Sequence, residues 1–169
     1  EKVPFWIIPA NEDVVRFQIK PVVEDVNAFD VELEGKARRY VKARLEIDPV
    51  TQKERMQEIS RMTERSEWQD FHDEWIKSGK IADAIKDGLD REIIIESSNK
   101  VASLTGDYKF AIDFTRIDRR DGRQIGEPVH LRAYLSMVTS PKTVTLENKY
   151  INPFGVTVTD MILRTRGSS

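Results

Sequence analysis

Two histidines are the first residues of this chain whose chemistry could serve acid–base catalysis or metal binding. His72 lies in the stretch His72-Asp73-Glu74-Trp75 on a predicted helix, and His130 lies on a predicted strand. A zinc site on a helix would need a second histidine one turn away, which this stretch lacks. The chain contains no cysteine, which excludes thiolate ligands, thiol nucleophiles and disulfides. We therefore expect no metal and no cofactor, and we interpret both histidines as surface residues.

Asp160 is the carboxylate best placed for proton transfer. It shares strand parity with Val156, Val158 and Ile162, so its side chain could point toward the apolar side of a sheet. Burial among apolar groups raises the pKa of a carboxylic acid, which suits it to proton transfer. No histidine has a visible route to Asp160, and no Gly-x-Ser-x-Gly nucleophile motif is present. A paired or rim position is therefore the favoured interpretation, and a role as acid or base stays open.

Charge and composition disfavour nucleic acid as a partner. The 169 residues carry 27 Lys and Arg against 29 Asp and Glu, which gives a formal net charge of -2. Arg116, Arg119, Arg120 and Arg123 surround the dipeptide Asp121-Gly122, but neighbouring aspartates offset their charge and no row of aromatic residues accompanies them. The hydrophobic share of 39%, with 3 Trp and 7 Phe, is typical of a globular protein with one core.

The elements that would position these groups begin with a strand and a helix. Residues 4–17 mix β-forming residues around a turn sequence, which predicts an entry strand and turn closed by Pro21. Asn27 or Asp30 can cap a first helix, which should end before Pro49. The apolar positions of this helix recur at intervals near three and four: Val31, Ala37, Tyr40, Val41 and Leu45.

Capping motifs and apolar stripes predict two further helices. Thr51 with Glu54 forms a capping box, and Ser66 with Gln69 repeats the same signature. The stripes are Met56, Ile59 and Met62 in the second helix and Trp68, Phe71 and Trp75 in the third. Gly79 should end the third helix in a left-handed conformation, and one short helical turn should follow it.

From Arg91 the apolar period changes to two, which predicts strands. Asp121-Gly122 is a tight hairpin signal because both residues tolerate positive φ, and Ser140-Pro141 marks a further turn. The predicted strands contain Ile93 and Ile95; Tyr108, Phe110, Ile112 and Phe114; Val129, Leu131, Ala133, Leu135 and Met137; Val144, Leu146 and Tyr150; and Val156, Val158, Ile162 and Leu163. Helices followed by long hairpin-linked strands predict one α+β domain over residues 1–169, in which an antiparallel sheet wraps around a helical layer.

Three segments together resemble one protein family. They are residues 4–8 near the start, residues 40–48 in the first helix and residues 152–160 near the end. A Tyr-Val-x-Ala-Arg helix followed much later by Asn-Pro-x-Gly and a closing strand is similar to the periplasmic domain of the VirB-eight proteins. These proteins are the inner-membrane assembly factors of type IV secretion systems.

The resemblance implies a nuclear-transport-factor-two-like fold, with three N-terminal helices packed on a curved antiparallel sheet of four long strands. It implies a periplasmic domain whose cytoplasmic tail and single transmembrane helix would precede residue 1. It also implies a scaffolding role without catalysis, in a conjugation or effector-translocation complex. The expected partners are a second copy, in a weak homodimer, and other secretion subunits; no small-molecule substrate is expected.

Two motifs supply the residues that the resemblance places at protein contacts. They are Asn152, Pro153, Phe154 and Gly155 near the end of the chain, with Tyr40, Val41 and Arg44 in the first helix. A sharp bend between two strands is the minimal interpretation of the first motif, because Asn can cap a turn, Pro fixes φ and Gly accepts positive φ. A contact through an exposed Phe154 is the other. Tyr40 and Val41 are equally open to a core interpretation, beside a basic helix face that includes Arg44.

Two rival functions stay open at this point. One is a small-molecule enzyme or ligand-binding protein of the same cone-shaped fold, which would use the cavity between helices and sheet with Asp160 as its acid or base. The other is an extracytoplasmic sensing domain, whose ligand should raise the melting temperature.

Overall fold

The computed structural model describes residues 5–7, 15–17, 27–104, 106–140, 144–147 and 149–167. The chain divides into two compact units, Glu1–Glu32 and Leu33–Ser169. In the first unit, strands β1 (Phe5–Ile7) and β2 (Val15–Phe17) pair antiparallel, which confirms the predicted entry strand. The predicted turn between them and the closure at Pro21 lie outside the described residues. The assignment of one domain over residues 1–169 stays a prediction.

Helices follow between residues 28 and 86. In order they are α1 (Ala28–Leu45), α2 (Gln52–Met62), α3 (Arg65–Phe71) and α4 (Lys80–Lys86). The α3 helix continues directly into a π-helical turn, His72–Lys77, so the predicted stripe that ends at Trp75 is helical throughout. Gly79 has a φ of 84° and separates this turn from α4, as the sequence predicted. In the described part of the chain, no helix is both long and apolar enough to cross a bilayer.

The starts of α1 and α3 are capped by side-chain oxygens. Asn27 Oδ1 accepts a hydrogen bond from the Phe29 amide at 2.9 Å, which confirms Asn27 as the cap of α1. The prediction for α3 was wrong, because Glu64 rather than Ser66 is the cap. The Glu64 carboxylate accepts from the amides of Ser66 at 3.0 Å and Glu67 at 3.3 Å. A carboxylate at this position also interacts favourably with the positive end of the helix dipole.

A buried arginine joins the end of α1 to the start of α2. Arg55 is 3% exposed, and its guanidinium donates to the main-chain carbonyls of Ala43 at 2.9 Å and Glu46 at 2.7 Å. Ala43 lies in the last turn of α1 and Glu46 directly follows the helix, where carbonyls have no helical amide available to them. Thr51 precedes α2 as predicted, but it forms no capping box, since its hydroxyl donates to Asp48 Oδ2 and accepts from Arg55 Nε. Burial lowers the pKa of Arg55 from its usual value.

The second half of the chain forms one antiparallel sheet. Its strands are β3 (Leu89–Leu104), β4 (Asp107–Arg120), β5 (Arg123–Gln124), β6 (Val129–Thr139) and β7 (Val156–Thr165). Their order across the sheet is β3-β4-β6-β7, and the short β5 pairs with β4. The β4–β5 hairpin turns at Asp121 and Gly122, whose φ values of 51° and 83° confirm the predicted tight turn.

The strand predicted through Val144, Leu146 and Tyr150 is wrong. The described residues between β6 and β7 form turns and irregular backbone, and both Leu146 and Tyr150 are 87% exposed. Consequently β7 pairs directly with β6, and no additional strand lies between them in the described sheet.

The core lies between the helices and one face of the sheet. Its fully buried large side chains are Leu33, Tyr40 and Val41 of α1, Ile59 of α2, Ile93 of β3, Phe110, Ile112 and Phe114 of β4, Leu135 and Met137 of β6, and Val156 and Val158 of β7. These positions follow the helical and alternating patterns of the sequence. Each large apolar side chain buried in this way stabilises the fold by about 1.5–3 kcal/mol.

A bulge in β7 removes the shared parity that could have turned Asp160 toward the apolar side of the sheet. The pairing of β6 with β7 shifts between Ser136 and Met137, so that Ser136 pairs with Asp160 while Met137 pairs with Val158. Because the extra residue flips the alternation of side chains, the parity shared by Val158 and Asp160 no longer places them on one face. The helix-facing side chains beyond the bulge are Met161 and Leu163.

Candidate protein-interaction site

The turn Asn152–Gly155 leads into β7 and is held by the side chain of Asn152. Asn152 Oδ1 accepts a hydrogen bond from the Val156 amide at 2.9 Å, and Asn152 Nδ2 donates to the Val156 carbonyl at 3.0 Å. The Gly155 amide donates to the Asn152 carbonyl at 3.1 Å. The predicted bend is therefore present, and the amide group of Asn152 fixes its exit into the sheet.

Gly155 is required by both conformation and space. Its φ is 58°, in the left-handed region, and a Cβ at this position would lie 2.4 Å from the carbonyl oxygen of Ser140. The Ser140 amide donates to the Gly155 carbonyl at 3.0 Å, which holds the end of β6 against the turn. Asn152 and Gly155 thus build the turn, and a change at either residue alters the backbone as well as any contact surface.

Apolar side chains are exposed beside this turn, although they are not those that the sequence predicted. Phe154 is half-buried, whereas Pro153 is exposed. Leu146 and Tyr150 are each 87% exposed, and Ile151 is 67% exposed. The exposed apolar area beside the turn is therefore formed chiefly by residues that precede Asn152.

A small groove lies between these residues and the first two helices. It has a volume of about 110 Å³ and is lined by Lys36 and Arg39 of α1, Glu58 and Met62 of α2, and Ile151. Lys36 Nζ donates to the Ile151 carbonyl at 2.7 Å, and the Arg39 guanidinium makes two hydrogen bonds to the Glu58 carboxylate at 3.0 and 2.8 Å. We call the exposed side chains of Leu146, Tyr150, Ile151 and Pro153, with this groove, the turn surface.

Tyr40 and Val41, predicted as contact residues, are buried instead. Their exposed fractions are 1% and 0%, so neither can meet a partner on the folded surface. The Tyr40 hydroxyl lies 2.9 Å from Thr63 Oγ1, and because Thr63 itself donates to the Ile59 carbonyl at 2.6 Å, Tyr40 is the donor in this pair. These residues fasten α1 to the end of α2.

Arg44 is also turned inward. Its side chain is 10% exposed and forms an ion pair with Glu67 of α3 at 2.9 Å. The guanidinium carbon lies 4.6 Å from the centre of the Phe71 ring, a distance typical of a cation–π contact. The helix motif therefore positions α3 on α1, and the basic face predicted on α1 does not include Arg44.

A family model confirms the resemblance that these motifs suggested. The model described as VirB8 protein matches residues 2–161 of the 169-residue chain. The chain belongs to the VirB8 family. A search of curated protein sequences finds no match.

Solved structures of type IV secretion proteins share the fold of this VirB8-family chain. The soluble domain of TrwG from Bartonella grahamii is 13% identical with a TM-score of 0.68, over 86% of this chain and 99% of that one. Agrobacterium tumefaciens VirB8 is 16% identical with a TM-score of 0.65, over 85% and 97%. The periplasmic domain of DotI is 10% identical with a TM-score of 0.61, over 84% and 99%. The predicted α+β, nuclear-transport-factor-two-like fold is confirmed.

The cleft between the helices and the sheet does not contain Asp160. It has a volume of about 160 Å³, and its walls include Phe71, Trp75, Met161 and Leu163. The bulge in β7 turns Asp160 toward the opposite face of the sheet. The alternative of a small-molecule enzyme therefore loses the acid or base on which it depended, and family membership does not favour it.

The two arginines that line this cleft are paired with carboxylates. Arg44 binds Glu67, and Arg91 makes two hydrogen bonds to Asp118 at 2.7 and 2.9 Å. Burial raises the pKa of Asp118, but the hydrogen bond and charge of Arg91 outweigh it and hold that pKa below its usual value. The guanidinium groups thus stabilise the structure of the cleft through these ion pairs.

The histidines occupy separate, partly exposed positions. The side chain of His72 is 39% exposed and lies 3.5 Å from Asp73, whereas that of His130 is 49% exposed. His130 Nδ1 lies 2.9 Å from Thr115 Oγ1, which also contacts Glu96. Among the residues that the structure describes, no group of three or more His, Cys, Asp or Glu side chains could hold a metal ion.

Sequence reasoning missed Ile151 altogether and assigned Leu146 and Tyr150 to a strand. The signal that could have corrected this is the run Glu147-Asn148-Lys149, which interrupts the alternation between the two apolar positions. A polar run next to an Asn-Pro turn is typical of an exposed connection. Apolar residues within such a connection are candidates for contacts with other proteins.

Proposed function

We propose that this chain is a non-enzymatic assembly subunit of a bacterial type IV secretion inner-membrane complex, which acts by binding a second copy of itself and other secretion subunits. Its membership of the VirB8 family supports a role as a secretion component. The inward positions of Tyr40 and Arg44 and the outward position of Asp160 leave the surface, rather than an internal site, to carry the function.

We place the domain in the periplasm, anchored in the inner membrane by a segment before residue 1. The support is the shared fold with the periplasmic domain of DotI. A domain tethered in this way is confined to the membrane surface, which raises the effective concentration of its partners there. Weak contacts between subunits are then sufficient for assembly.

The turn surface is the proposed contact with other secretion subunits. The observation that carries this proposal is the exposure of Leu146, Tyr150 and Ile151 beside a turn clamped by Asn152. Exposed apolar residues rimmed by charged groups mark protein interfaces, and tyrosine is frequent among the residues that dominate binding.

The test is the double variant Tyr150→Ser with Ile151→Ser in the full-length protein. We expect about a tenfold or greater loss of affinity for partner subunits, since each 1.4 kcal/mol of lost contact weakens binding tenfold. The measurements are co-purification of the other inner-membrane subunits and substrate transfer in a strain that lacks the wild-type protein. Thermal unfolding should change little, because substitutions of exposed residues cost within about 0.5 kcal/mol.

Val50→Ser is the matched control. Val50 is 86% exposed at the corner between α1 and α2, at the opposite ends of these helices from the groove. The Val50→Ser variant also removes an exposed apolar side chain, and it should leave substrate transfer intact. Normal transfer and co-purification by the Tyr150→Ser, Ile151→Ser variant would eliminate the turn surface as a contact.

A further inference from the structure

The sheet face that points away from the helices carries three ordered rows of side chains. Across β4, β6 and β7 the central row is Ala111, Tyr134 and Ile162; one flanking row is Asp113, Arg132 and Arg164; the other is Lys109, Ser136 and Asp160. We call these nine side chains the outer face. Two residues of its central row are open to solvent, Tyr134 at 39% and Ile162 at 41% exposure, whereas Ala111 is buried at 6%.

The two flanking rows carry opposite charges at matching strands. On β4 one row has Asp113 where the other has Lys109, and on β7 one row has Arg164 where the other has Asp160. Each pair is separated by four residues along its strand, with the central row midway. Rotating a second copy by 180° about the central row would therefore place each of these four charges over a charge of opposite sign.

Several of these charges have no partner within the described part of the chain. Asp160 and Lys109 make no ion pair there, and the Arg164 guanidinium bonds only the main-chain carbonyl of its neighbour Leu163, at 3.1 Å. By contrast, Asp113 binds Arg132 through two hydrogen bonds at 2.6 and 3.0 Å. The outer face thus combines the exposed side chains of Tyr134 and Ile162 with charges on both sides of them that form no ion pair within the described residues.

We propose that the outer face binds the outer face of a second copy of this chain, about a two-fold axis that runs along the central row. This inference rests on the self-association included in the proposed function and names its surface. Strands of the two copies would run antiparallel, Ile162 would meet its own counterpart, and Asp160 of each copy would face Arg164 of the other. Two sheets packed face to face keep their strands within about 30° of each other, which preserves these pairings near the axis.

The size of the outer face predicts a weak dimer. Three strands about 4.8 Å apart and five residues at about 3.3 Å each give an area on the order of 250 Å² per copy. Stable interfaces bury about 800 Å² per partner, so this contact falls in the range of weak and transient association. Confinement to a membrane surface would make such a contact effective, because it raises the local concentration.

A second two-fold arrangement is less favourable. If the axis ran parallel to the strands, Arg132 of one copy would face Arg132 of the other across the contact. The arrangement proposed above places Arg132 opposite the neutral Ser136, so it avoids this repulsion between like charges. Charge reversal distinguishes the two arrangements, because only the proposed one pairs position 160 with position 164.

The test is charge reversal at positions 160 and 164. Self-association is measured by sedimentation equilibrium of the 169-residue chain at high micromolar concentration. Asp160→Arg and Arg164→Asp should each weaken self-association about tenfold, because each converts two symmetric attractions into repulsions. The double variant D160R/R164D should restore it. An equimolar mixture of the two single variants should associate more strongly than either alone, and added salt should weaken this mixed complex.

Asp70→Arg on α3 is the matched control, since it makes the same change of charge on an exposed residue of the helical side. It should leave self-association unchanged. Self-association of the single variants at the wild-type level would overturn the outer face as the surface while leaving self-association itself in place. Failure of the double variant to recover would overturn the proposed axis. A wild-type chain that stays monomeric would overturn both, and the Tyr150→Ser, Ile151→Ser experiment would still test partner binding independently.

Discussion

Gly155→Ala should destabilise the domain through both the backbone conformation and a steric clash. An alanine at φ 58° costs about 1–2 kcal/mol relative to glycine. The new Cβ would also lie 2.4 Å from the Ser140 carbonyl oxygen and 2.8 Å from its carbonyl carbon, so the end of β6 must move. That movement breaks the hydrogen bond from the Ser140 amide to the Gly155 carbonyl, which contributes about 1 kcal/mol.

The sum of these effects is a loss of about 2–3 kcal/mol in the free energy of unfolding. For a chain of this length, that corresponds to a decrease of about 4–12 °C in melting temperature. Urea denaturation measures the free energy, and amide hydrogen exchange at Ser140 and Val156 locates the effect. Faster exchange should be confined to the end of β6 and the start of β7.

Gly122→Ala is the control that separates conformation from clash. Gly122 has a φ of 83°, but a Cβ there would meet no atom within 4 Å. Its cost should therefore be the conformational part alone, about 1–2 kcal/mol. If Gly122→Ala and Gly155→Ala destabilise the protein equally, the close approach of Ser140 has no energetic consequence and the reasoning about the turn is refuted.

Three further predictions follow from the contacts of individual side chains. Arg55→Met should lower the free energy of unfolding, measured by urea denaturation, by about 3–5 kcal/mol, because the carbonyls of Ala43 and Glu46 would lose their hydrogen-bond donor. A decrease below about 1 kcal/mol would contradict this account. Asp118→Asn should lower the free energy of unfolding at pH 7, because Arg91 holds the folded pKa of Asp118 below its unfolded value. The difference between variant and wild type should be complete above the unfolded pKa and should disappear as pH falls through the folded pKa. A difference that does not change with pH would argue against the pairing of Asp118 with Arg91. Pro153→Ala should leave the melting temperature within a few degrees and reduce co-purification of partner subunits, whereas unchanged co-purification would restrict the turn surface to Tyr150 and its neighbours.

Much of the fold could be predicted because hydrophobic periodicity reports directly on burial. The stripes of α1 and α2 and the alternation in β4 and β6 correspond to buried side chains such as Tyr40, Ile59, Phe114 and Leu135. The hairpin at Asp121-Gly122 was also predictable, since few residue pairs tolerate positive φ at both positions. Capping was less predictable. Glu64 lies two residues before Ser66 and accepts from the amides of Ser66 and Glu67, so α3 begins earlier than the predicted cap.

The candidate site was harder to predict for two physical reasons. A β-bulge leaves no mark in a period-two pattern, so the orientation of Asp160 could be obtained only from the pairing of β7 with β6. The exposed residues Leu146 and Tyr150 have the residue types of a strand, and only the absence of a pairing partner keeps them out of the sheet. Both errors arise where tertiary structure overrides a local pattern.

The motifs that carry the family resemblance are explained by architecture rather than by contact. Asn152 and Gly155 fix the entry of β7, and Tyr40 and Arg44 join α1 to the other helices through Thr63 and Glu67. A chain can therefore keep these motifs because its fold requires them, whatever partners it binds. We therefore expect the choice of partners to depend on surface residues, including Pro153 of the turn motif, rather than on Tyr40, Arg44 or Gly155. The turn surface beside Asn152 and the charge pattern of the outer face are two places where the described structure presents such residues.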